Sequence, residues 1–83
     1  MSRIIVERTF DPPVTQEALA DVKKKMLPCL QTYRVRWVRS YLSLDRKRMV
    51  CEYEAPDAEA VRDVQREAAA PYERVWNADL LEG

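Results

Sequence analysis

Residues Val35–Asp57 read VRWVRSYLSLDRKRMVCEYEAPD. Two alternating runs rich in β-branched and aromatic residues, about Arg34–Leu44 and Arg48–Ala55, flank the polar connection Asp45-Arg46-Lys47. This pattern predicts a β-hairpin. A tight turn that sets Leu44 against Lys47 fixes the pairs behind it. Leu42 then faces Met49, Ser40 faces Cys51 and Val38 faces Tyr53 on one side of the sheet, because side chains alternate. These pairs are mostly apolar and belong beneath helices. The other side holds Tyr41 opposite Val50, Arg39 opposite Glu52 and Trp37 opposite Glu54. The Arg39–Glu52 charge pair supports this register.

Upstream, RIIVERTF (Arg3–Phe10) alternates as a strand and DPPV ends it, since proline lacks the N–H that a ladder needs. Thr15 is placed to cap a helix, with Glu17 in its first turn. Leu19, Val22, Met26 and Leu30 follow at helical spacing. Pro28 is expected to kink or end that helix near Leu27. Downstream, Pro56 stops the hairpin's second strand and Asp57 caps a second helix. Ala58, Val61, Val64 and Ala68 form its buried stripe. Pro71 ends this helix, and Tyr72–Leu81 reads as a last strand. The order β-α-β-β-α-β predicts one α+β domain over residues 1–83, a ferredoxin-like sandwich. Both helices would cover one face of a four-stranded antiparallel sheet.

The other face is left open. With Ile4 and Val6 directed to the core, and Phe10 a further candidate, Ile5, Glu7 and Thr9 join Trp37, Arg39, Tyr41, Val50, Glu52 and Glu54 outside. Large aromatics among paired charges are not ordinary solvated filler, so the face should be covered. One reading is a homodimer, sheet against sheet, anchored by Trp37 and Tyr41. Another is a ligand cleft between sheet and helices or between subunits, with Glu7, Trp37, Arg39, Tyr41 and Glu52 as binding residues. A third is a small cofactor-independent enzyme of the isomerase or monooxygenase type. Glu7 would be its base, Tyr41 or Tyr53 its acid, and Arg39 its anion holder. No residue set singles out a catalytic centre, and a purely structural interaction module is the remaining alternative.

Composition narrows the chemistry. Fourteen basic and fourteen acidic residues cancel, which argues against a nucleic-acid footprint. The chain has no histidine, the commonest general base and transition-metal ligand. The single glycine, Gly83, is the last residue, so no glycine-rich phosphate loop forms. Cys29 and Cys51 lack metal or redox spacing. MSRIIVERTF contains no long apolar run, and no membrane segment is expected. The expected compartment is the cytoplasm, with both thiols reduced.

Several motifs in order also resemble a known family. VERTF (Val6–Phe10), VRWVRSY (Val35–Tyr41), CEYEAPDAEAVRD (Cys51–Asp63) and Pro71-x-x-Arg74-Val75 together are similar to a small bacterial domain-of-unknown-function family. Its best-known member is a nickel-binding protein with a dimeric ferredoxin-like fold. The resemblance spans nearly the whole chain and implies a dimeric binding protein with nickel as a possible ligand. Family members often carry a histidine in the second helix, where this chain has Val64. Any metal would then fall to cysteine and carboxylates. Cys51 and Glu54 are the chief candidates, with Glu7, Glu52, Glu73 and Asp79 behind them. Cys51 is otherwise a small buried hydrophobe.

Overall fold

A computed structural model describes residues 1–83. β1 (Ser2–Thr9), α1 (Gln16–Thr32), β2 (Arg36–Leu42), β3 (Arg48–Ala55), α2 (Ala58–Glu67) and β4 (Arg74–Asn77) follow in chain order. The strands form one antiparallel sheet in the order β2-β3-β1-β4, with the first and third strands central. This is the ferredoxin-like arrangement that the sequence predicts. The molecule is a slab of 34 × 33 × 17 Å.

Both helix caps form as expected. Thr15 accepts from the Ala18 amide at 3.1 Å, and Asp57 accepts from the Ala60 amide at 2.8 Å. Each satisfies an amide that has no partner inside its helix. The hairpin turn is closed by its own side chains. The Ser43 hydroxyl accepts from the Lys47 and Arg48 amides, and Asp45 accepts from Ser43 and Lys47. These donors hold the Asp45 carboxyl below the usual range, chiefly through the Ser43 bond. The turn also ties down the segment after β1, because Arg46 Nε donates to the Val14 carbonyl at 2.7 Å.

The core lies between the sheet and the helices. Ile4, Val6, Cys51, Tyr53 and Ala55 supply the sheet side; Met26, Leu30, Val61, Val64 and Ala68 supply the helix side. Phe10, a further core candidate, is only half-buried.

Four expectations need correction. First, the β2–β3 ladder slips between Trp37 and Arg39, so Trp37 pairs with Tyr53, and Arg36 takes the place opposite Glu54. Val38 is the extra residue of a β-bulge. The slip reverses the side of everything before it, moving Trp37 from the open face to the helix side. Second, of the two outcomes expected at Pro28, a kink or an end near Leu27, the end does not occur: α1 runs through Pro28 to Thr32. Buried Met26 and Leu30 bracket the proline, and their burial outweighs the single helical bond that proline removes. Third, β4 is shorter than Tyr72–Leu81. Beyond Asn77 one more bond joins the Ala78 amide to Arg3 O at 3.0 Å, and β1 offers little backbone past that point. Fourth, β2 starts two residues later than expected. Arg34 adopts a left-handed φ of 59°, and the Val35 amide turns back to Leu30 O.

Candidate functional site

The open face of the sheet is built in rows across the strands. Arg39, Glu52, Ile5 and Trp76 form one row; Tyr41, Val50, Glu7 and Arg74 form the next; Arg36, Glu54 and Arg3 form a third. The carboxylates are engaged. Glu52 sits between Arg3 at 2.9 Å and Arg39 at 3.5 Å, and Glu54 meets Arg36 at 2.7 Å. Glu7 accepts from the Trp76 indole at 2.7 Å, with Arg74 at 3.9 Å. Tyr41, Val50 and Trp76 stay exposed among these charges.

Of the expected ligand set, the structure brings together Glu7, Arg39, Tyr41 and Glu52 on this face. Trp37 is not with them. Sequence reading missed Arg3, Arg74 and Trp76. Once Val75 is given to the core, alternation along β4 assigns Arg74 and Trp76 to the open side. The expected metal pair does not converge either. Cys51 is buried on the helix side of β3, and Glu54 lies on the open side. No three His, Cys, Asp or Glu side chains gather anywhere in the fold as a metal would need.

A shallow, mostly polar concavity lies on the open face between Glu7, Tyr41, Val50 and Arg74, and a mostly apolar one lies on the other side of the sheet. A cavity of about 400 Å³ separates α1 from β2 and β3. Leu19, Val22 and Met26 line it from the helix; Leu42, Met49 and Tyr53 line it from the strands. Its size falls within the range of small-molecule sites. The bulge at Val38 brings Trp37 into this wall, where its indole donates to Ser40 Oγ at 2.9 Å and Lys23 lies 5.3 Å from the ring centre. Cation–π attraction at that distance favours this ring position.

A buried polar cluster adjoins the same cavity. Arg8 follows Ile4 and Val6 on the core side of β1 and is only 5% exposed. Its guanidinium donates to Gln65 Oε1 at 2.8 Å, the Tyr53 hydroxyl at 3.1 Å and Pro71 O at 3.2 Å. The Tyr53 hydroxyl in turn donates to Met26 Sδ at 3.4 Å. Burial, aided by Cys51, pushes the Tyr53 phenol up to about 12 against the opposing effect of Arg8. Tyr53 is therefore a neutral donor at physiological pH. Gln65 completes the cluster from α2, where Val61, Val64 and Gln65 are buried together.

No curated protein matches the chain. Among solved structures, the crystal structure of SCO4226 from Streptomyces coelicolor A3(2) matches with a TM-score of 0.85. It covers 98% of this chain and 100% of that one at 17% identity, a likeness that carries the fold. A family model described as nickel responsive protein SCO4226-like matches residues 5–77. That span runs from the middle of β1 to the last residue of β4; the chain belongs to the SCO4226-like family.

Proposed function

We propose that this protein is a non-enzymatic binding protein that pairs through its open sheet face and holds a small molecule beneath α1. The observation that carries the reading is the cavity of about 400 Å³, apolar over most of its wall and adjoined by a few buried polar groups. That combination characterises small-molecule sites. The open face favours pairing for a different reason. It mixes exposed aromatic surface with arginines and glutamates in nearly equal number, which suits a second copy of itself.

Catalysis at Glu7 has less support. Its carboxylate already accepts from Trp76 and is not set in an apolar pocket poised to take a proton. The family description favours nickel as a second reading. The donors within one copy do not fit that ion, since histidine is absent and Cys51 and Glu54 lie on opposite faces of the sheet. Nickel favours imidazole or thiolate ligands, so no step is assigned to it.

The test uses the tag-free protein with Trp76→Phe, which leaves Trp37 as the only indole. A neutral apolar dye should bind saturably and shift Trp37 emission. Nickel titrated by calorimetry should give no stoichiometric heat. Failure of the dye together with tight nickel binding would reverse the order of the two readings.

A further inference from the structure

We infer that the molecule held beneath α1 is an apolar carboxylate, with its acid group on Arg8. This inference rests on the small-molecule reading above and specifies its ligand class.

The cluster around Arg8 is unbalanced in donors and acceptors. A guanidinium carries five N–H bonds and a permanent charge. Three of them donate, to Gln65, Tyr53 and Pro71, and all three acceptors are neutral. None of the fold's ion pairs includes Arg8. Its Nε is buried with no partner, and so is the amide nitrogen of Gln65. Tyr53 spends its proton on a thioether, a weak acceptor. Every unsatisfied atom in this cluster is therefore a donor, and the one full charge is positive. Burying a cation without a counter-charge is costly, and an orphaned donor adds to that cost. A carboxylate in the cavity, which Arg8 lines and Gln65 does not, supplies the missing negative charge and an acceptor for the guanidinium.

The shape of the cavity specifies the rest of the ligand. A bare inorganic anion would leave most of the 400 Å³ unfilled and most of the apolar wall unmatched. Leu19, Val22, Leu42 and Met49 want hydrocarbon, while Arg8 and Tyr53 line the same space. An acid with an apolar body satisfies both ends. Lys23 is the second cation of the lining, but it is exposed and lies over the Trp37 ring. Water screens a charge in that position far more than one at Arg8.

Decanoate and decanol separate the acid from the tail. Both are titrated into the Trp76→Phe protein, below the concentrations at which they aggregate, with Trp37 emission as the signal. Decanoate should bind at least about tenfold more tightly than decanol, the size expected of a charge-assisted bond. Arg8→Met should abolish that preference while keeping decanol binding. Equal affinities in the Trp76→Phe protein with Arg8 intact would overturn the acid and leave the small-molecule reading standing. A preference that survives Arg8→Met would overturn Arg8 as its holder and point to Lys23. If neither probe binds but the neutral dye does, the carboxylate class fails alone. If the dye fails too, the small-molecule reading fails with it. Should Arg8→Met not fold, Lys23→Met decides between the two cations of the lining: a preference that survives it supports Arg8, and one that it abolishes overturns Arg8.

Discussion

At the scale of single residues, Tyr53 makes the clearest statement about pH. Its phenol titrates near 12 in the fold and near 10 in an unfolded chain. The fold therefore stabilises the neutral form. Below pH 10 both states keep the proton and the contribution is complete. Between about pH 10 and 12 the unfolded chain loses its proton first, and stability falls. The loss from this group is roughly 2–3 kcal/mol. Urea unfolding followed across that range should show a steep alkaline limb for the native protein and a shallower one for Tyr53→Phe. The variant should also cost about 1–2 kcal/mol at neutral pH, because Arg8 loses an acceptor. A limb of equal slope in both proteins would remove Tyr53 as its cause. The place of Arg8 was legible, since alternation carries Ile4 and Val6 onward to it. Its burial was not, because its partners Tyr53 and Gln65 lie 45 and 57 residues away. A lone arginine at a core parity position looks like a strand end turning to solvent until those partners are in view.

At the scale of elements, caps and periodicity proved readable and local irregularities did not. Thr15 and Asp57 are recognisable because capping is decided within four residues. The bulge at Val38 has no comparable signal. VRWVRSY breaks its alternation at the adjacent apolar pair Trp37-Val38, but the same letters fit a continuous ladder with one apolar residue outside or a ladder with an extra residue. The Arg39–Glu52 pair fixes the register on one side of the bulge and says nothing about the other. One slipped residue moved Trp37 across the sheet and out of the expected ligand set. Pro28 misled in the opposite sense, because a strong local signal lost to packing on both sides of it. That outcome has a measurable consequence. Pro28 is exposed, so Pro28→Ala disturbs little of the core. It restores an amide to the middle of α1 and removes the ring's clash with the preceding turn. The substitution should stabilise the protein by about 2 kcal/mol, somewhat below the full propensity difference, because proline also restricts the unfolded chain. Chemical denaturation measures this directly. A loss of stability would mean that α1 is bent at Pro28 to fit its neighbours.

At the scale of the whole molecule, the thinnest dimension of 17 Å leaves room for only one helical layer. One face of the sheet is thus bare, and the chain topology alone predicted that, as it predicted an aromatic and charged surface there. Which residues make up the surface depended on the bulge and on β4. Trp76, rather than Trp37, is its tryptophan. Tyr41 and Trp76 sit on the two edge strands, with Val50 and Glu7 between them. A twofold axis through the middle of the sheet could set the aromatic edges of one copy over the charged rows of another. Tyr41 is 66% exposed in one copy, so its ring contributes little to the fold and is available to an interface. Tyr41→Asp should leave the urea midpoint of a dilute sample nearly unchanged and weaken pairing by about 2 kcal/mol, roughly thirtyfold in dissociation constant. Light scattering over a dilution series reads this as a shift of the monomer–dimer midpoint to higher concentration. Added salt should move the native protein in the same direction, since the arginine and glutamate rows then attract less across the interface. A native protein that remains monomeric at high concentration, or a Tyr41→Asp midpoint that does not move, would show that something other than a second copy covers this face.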